Sequence, residues 1–168
     1  MKREAYIKTT DFFRKPGWPA FLIFFMSRVI PVLIGNIYII LCVLFLLTMP
    51  PVLFRFMGVP LFGFIAVTLL RSLIHKKRPY EALDFKPIHY KTTLKSGKSF
   101  PSRHTASAAL IAMAVFAYLP VPGLVLLFMA ALVALSRVLS GMHYIADVIA
   151  GLAFGIIVGL IGFYPVIF

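Results

Sequence analysis

A chain of 168 residues that is 61% hydrophobic and only 13% charged is too apolar for an ordinary soluble domain. Its formal net charge of +12 would suit a nucleic-acid binder, but nine of the lysines and arginines are concentrated in residues 71–103, between apolar segments. A basic loop held at a membrane surface meets lipid headgroups, so membrane lipids are the expected partner and no nucleic acid is expected.

In chain order, residues 1–17 are basic and mixed and end in Pro16-Gly17, which breaks any helix begun earlier. They read either as a short helix on the membrane surface or as a solvated tail drawn to anionic lipid. Six apolar stretches follow, at 18–34, 36–54, 56–70, 105–119, 122–139 and 144–163. Each meets or approaches the roughly 20 residues a membrane span requires. The predicted fold is all-α, a single domain over residues 1–168 forming a polytopic membrane helix bundle of about six transmembrane helices. Five plus an interfacial helix is the alternative, because the first stretch is short and carries Arg28 and Pro31.

Trp18 suits a membrane–water boundary, and no Ala-x-Ala site follows the first stretch, which reads as a retained segment. Gly35-Asn36 and Met49-Pro50-Pro51 punctuate the first two helices, and Leu119 to Gly123 makes a tight turn. Cys42 is the only cysteine; it lies in an apolar run and reads as a small buried hydrophobe. The exception to the apolar pattern is residues 71–104, a long polar stretch of the kind that carries function in compact folds.

Helical topology delivers three polar clusters to one face. The third helix ends near Leu70, the fourth leaves from the same face, the fifth returns to it at Ser136-Arg137, and the sixth departs at His143. Arg71 and Arg78, seven apart, would share one face of a continuing helix and offer paired donors to phosphate, or snorkel to headgroups. Phe100-Pro101-Ser102-Arg103-His104-Thr105 immediately precedes an apolar helix, whose unpaired N–H groups attract an anion. Ser102 there is a helix cap, a phosphate ligand or both, and His104 can hold a proton near neutral pH. His143 and Asp147, four apart at the head of a helix, are expected one above the other, the carboxylate fixing the tautomer and freeing the second ring nitrogen for attack. Two histidines and an aspartate are also zinc-type ligands, but Arg71, Arg78, Arg103 and Arg137 would repel a cation, so no metal and no cofactor is expected.

Together the clusters resemble the type 2 phosphatidic acid phosphatase superfamily over roughly residues 55–160. The matching text is Arg71…Arg78-Pro79, Pro101-Ser102-Arg103-His104 and Ser136-Arg137…His143…Asp147. Arg71 stands where that pattern has Lys, and Arg103 where it has Gly; Arg103 would either clamp a second phosphate or point to headgroups. The resemblance implies a metal-independent phosphatase acting on a lipid phosphate or diphosphate, such as undecaprenyl diphosphate, phosphatidic acid or phosphatidylglycerol phosphate. It implies attack by His143, with Asp147 orienting its ring, and a phosphohistidine intermediate. His104 would protonate the leaving oxygen and then activate water, while Arg71, Arg78, Ser102 and Arg137 hold the phosphoryl oxygens.

A lipid phosphotransferase and a headgroup transporter are the alternatives; vanadium haloperoxidases share the motifs but are large soluble proteins. Resemblance to bacterial relatives implies a multi-pass cell-membrane protein with its active site on the extracytoplasmic face. If all six stretches span, charge is silent on the side: six lysines and arginines outside the motifs lie on the active face and six on the other.

Overall fold

Inside lipid every backbone N–H must be satisfied by the chain itself, which favours helices. The computed structural model, which describes residues 3–88 and 97–164, forms seven helices among those residues. They are α1 (Arg3–Arg14), α2 (Trp18–Thr48), α3 (Pro50–Ile74), the single turn α4 (Pro79–Ala82), α5 (Arg103–Tyr118), α6 (Pro120–Leu139) and α7 (Ile145–Phe163).

The first two predicted helices are one. Gly35-Asn36 lies inside α2, and the chain reverses only at Met49-Pro50. A helical glycine costs about 1 kcal/mol, less than leaving a broken turn's polar groups unpaired in hydrocarbon. The correction changes the topology. Five helices build the bundle, α2 begins at the end that carries the polar clusters, and α1 packs against that same end. Trp18–Thr48, Pro50–Ala82, Pro120–Leu139 and Ile145–Phe163 are long and apolar enough to cross a membrane. Phe54 at 82% and Leu73 at 77% exposure show that their outer faces are apolar and suited to lipid.

The fifth bundle helix, α5, has 16 residues and occupies the centre. Ala106, Ala108, Ala109, Ala112 and Ala114 are all buried, and their small size lets α6 and α7 close around it. From α7, Gly151, Gly155 and Gly159 face α5 at intervals of four, the small-residue spacing that brings membrane helices together. A Cβ on Gly151 would stand 2.7 Å from the Ser102 carbonyl oxygen, and one on Gly155 would stand 2.6 Å from the Ala109 Cβ. This contact brings Asp147 against Ser102. Gly155→Val is therefore expected to push α7 off α5, costing about 1–3 kcal/mol. A lowered unfolding midpoint in detergent, accompanied by lost activity, is the measurement that checks it.

Two prolines free carbonyls for use elsewhere, since proline carries no N–H to donate back one turn. Pro31 sits just after a π-helical turn at Phe25–Val29, and the Ser27 carbonyl accepts the Arg137 guanidinium at 3.4 Å. Pro60 lies inside α3, and the Phe56 carbonyl accepts the Tyr38 hydroxyl at 3.1 Å.

Candidate functional site

Arg71 lies in the last turn of α3, which stops at Ile74 because His75 turns left-handed at φ 44°. Arg78 follows as the residue before α4, so the two arginines do not share the face of one continuing helix, as their spacing predicted. A turn converges them instead. Both are buried, at 8% and 6% exposure, and both face the segment 97–98. Arg71 donates to the Lys98 carbonyl, and Arg78 Nε donates to the Gly97 carbonyl at 3.2 Å. The Gly97 N–H in turn donates to Glu81 at 2.8 Å, tethering the segment. Two guanidiniums satisfied by neutral carbonyls hold uncompensated positive charge, which a phosphate oxygen would neutralise.

At the start of α5, the buried Ser102 donates its backbone N–H to the Asp147 carbonyl at 2.8 Å. Its hydroxyl pairs with the Thr105 hydroxyl at 3.0 Å and caps no backbone N–H, contrary to one reading of the sequence. Arg103 lies over the Phe64 ring, 5.4 Å from its centroid. It borders two cavities. One, of about 390 Å³, is basic, with Arg71, Arg78 and Lys98 among its walls. The other, a groove of about 250 Å³, is mainly apolar and is lined by Pro31, Ile34, Phe64, His104, Ser107 and Ile111.

His143 is not on the head of α7, which begins at Ile145; it sits in the preceding turn, 2% exposed. The expected i, i+4 stacking on a helix is therefore replaced by a loop-to-helix contact. His143 Nδ1 lies 3.6 Å from Asp147 Oδ2. Asp147, fully buried in the first turn of α7, gathers three further donors. These are the Tyr144 N–H at 3.1 Å, the Ser99 hydroxyl at 2.5 Å and the Lys76 ammonium at 2.7 Å. Ser99 Oγ also lies 3.4 Å from His143 Nδ1, so it bridges ring and carboxylate. Burial pushes the His143 imidazole down to about 4, against the pull of the accepting Asp147 carboxylate and with the repulsion of Arg78. The ring is thus neutral at pH 7, with one nitrogen's lone pair available.

Arg137 completes the constellation from the last turn of α6: its Nη2 contacts Ser27, while its Nε is sealed from solvent without a partner. The structure brings His143, Asp147, Ser102, Arg71 and Arg78 together at one end, with His104 and Arg103 towards the groove. Sequence reasoning missed Lys76 and Ser99. Lys76 lies over the Tyr144 ring, 4.7 Å from its centroid, and its carbonyl accepts the Ser99 N–H at 2.8 Å. Only their placement inside the polar stretch 71–104 pointed to them.

The PAP2 superfamily model matches residues 52–166. Decaprenylphosphoryl-5-phosphoribose phosphatase of Mycobacterium tuberculosis, in two strains, is 38% identical over 95 residues, 55% of this chain and 49% of the relative. The chain thus spans about half the length of the curated relatives it matches. Aquifex aeolicus LpxE is similar in fold, with a TM-score of 0.68 at 21% identity, over 96% of this chain and 93% of that one.

Proposed function

Because the chain belongs to the PAP2 superfamily, we propose that it is a membrane lipid phosphatase that works through a phosphohistidine at residue 143. The observation that carries this reading is the neutral, buried His143, held by Asp147 within the field of Arg71 and Arg78. With Nδ1–H directed at Asp147, the lone pair on Nε2 attacks phosphorus. Burial and the arginines keep His104 neutral before the phosphate binds, and it takes up a proton when the phosphate's negative charge offsets them. The bond from phosphorus to the lipid oxygen breaks, and His104 supplies that oxygen's proton. His104 then takes a proton from water, the resulting hydroxide displaces His143, and inorganic phosphate leaves. Arg71, Arg78 and Arg137 hold the phosphoryl oxygens, meeting the charge that develops on them. The lipid's apolar chain lies in the groove beside His104, with Arg103 at the junction of groove and basic cavity.

The substrate class is a lipid phosphate or diphosphate. One relative's name describes a phosphate carried on the sugar of a polyprenyl lipid, and this chemistry fits a site with a basic cavity beside an apolar groove. Purified protein in mixed micelles is expected to release inorganic phosphate from members of a lipid-phosphate panel without an added acceptor alcohol. Release from no member of the panel would end the reading.

The charge on the folded chain favours a pocket facing the cytoplasm, the reverse of the side implied by bacterial relatives. With α2 one continuous helix, Arg3, Lys8, Arg14, Lys15, Lys76, Lys77, Lys86 and Lys98 lie at the active end beyond the motif residues. Among the described residues only Arg55 lies at the other. Lysines and arginines concentrate in cytoplasmic segments. A cysteine placed at Asp84 in a Cys42→Ser background is expected to resist an impermeant maleimide in intact cells and to react after permeabilisation.

A further inference from the structure

Helical serines and threonines in apolar surroundings commonly return their hydroxyl to a carbonyl three or four residues back. Most helical hydroxyls among the described residues do so. Thr10, Thr48, Thr68, Ser72 and Ser136 all make that bond, at 2.6–2.9 Å, and Thr105 pairs instead with the Ser102 hydroxyl. Ser107, in the second turn of α5, does neither: its Oγ is sealed from solvent and has no partner. The residue lines the apolar groove beside His104, three positions earlier on the same helix. Three residues correspond to a rise of about 4.5 Å, so Ser107 sits one turn deeper than the group assigned to the leaving oxygen. Ser107 lies in the groove wall, and its single χ1 torsion sets where the hydroxyl points. Leaving it unpaired in a mainly apolar wall is costly unless an occupant satisfies it.

We propose that Ser107 is a specificity-determining residue that hydrogen-bonds an oxygen on the alcohol portion of the substrate, next to the phosphorylated carbon. The inference rests on the phosphatase reading and narrows it. The preferred substrates are phosphate esters of a polyol, glycerol or sugar, whose neighbouring carbon bears an oxygen. A polyprenyl phosphate offers only hydrocarbon at that depth, and there Ser107 would stay unpaired. Continuity supports the assignment, since Arg103 borders both the basic cavity and this groove, and His104 shares the groove wall with Ser107.

The test compares wild type and Ser107→Ala on phosphatidic acid and on a polyprenyl monophosphate, each in the same mixed micelles. Alanine favours the helix and fits the space, and an unchanged unfolding midpoint verifies the fold. The expected result is a roughly tenfold fall in kcat/KM for phosphatidic acid, with the polyprenyl substrate changed less than twofold. An equal change on both substrates, or none on either, would overturn the role of Ser107 while leaving the phosphatase reading intact. If wild type hydrolyses neither substrate and nothing else in the lipid-phosphate panel, the phosphatase reading fails and takes this one with it. A wild-type preference for the polyprenyl phosphate would overturn the substrate class alone.

Discussion

His143→Asn is expected to reduce phosphate release by about 10⁴-fold or more while leaving the fold intact, as loss of a nucleophile does. Asparagine is chosen because its amide can occupy the place of Nδ1 and still face Asp147, which lies 3.6 Å from the ring. What disappears is the second nitrogen, the attacking atom. An alanine at this 2% exposed position would leave a cavity and confound loss of chemistry with loss of stability. The quantities to compare are kcat and the unfolding midpoint in detergent. Comparable turnover in the variant would remove His143 from the reaction.

Asp147→Asn carries the second large expected effect, a fall in kcat of about 10³-fold with a much smaller change in KM. Two roles are lost together. The carboxylate no longer favours the tautomer with Nδ1–H, which in a comparable catalytic arrangement costs up to about 10⁴-fold. The Lys76 ammonium, 2.7 Å from Oδ1, also loses its counter-charge beside a neutral ring. Because Lys76 is 38% exposed, water screens part of that loss, so the effect on stability is smaller than the effect on rate. A fall in substrate affinity without a fall in kcat would instead place Asp147 in phosphate binding.

The bundle was largely legible because hydrophobicity in lipid is a long-range signal: helix-forming runs and the face they return to follow from composition and direction. Its segmentation was not. Gly35-Asn36 looks like a stop by the rules of water, where a broken turn finds solvent partners; in lipid the same pair stays helical. That single difference moved the N-terminal charges to the active end and broke the tie between the two faces, so that charge now favours one side. The Gly151, Gly155 and Gly159 spacing was present in the sequence and went unread, although it sets how closely α7 approaches α5.

Within the candidate site, residue types and spacings singled out the arginines, histidines and Asp147 as candidates. They did not fix how these residues meet. Arg71 and Arg78 converge through a left-handed His75, and His143 reaches Asp147 from a turn rather than along a helix. Ser99 and Lys76 were hidden for a different reason. A hydroxyl and an ammonium in a polar loop have many bland explanations, and only the fold brings them to one carboxylate.

The central claim is a covalent bond between phosphorus and residue 143. Rapid quenching under alkaline conditions during turnover of a ³²P-labelled lipid phosphate, followed by peptide mass spectrometry, reads it directly. The account predicts an acid-labile, base-stable phosphoryl group on the peptide containing His143, absent from His143→Asn. A turning-over enzyme that carries no phosphoryl group at any quench time, or carries it on His104, would contradict it.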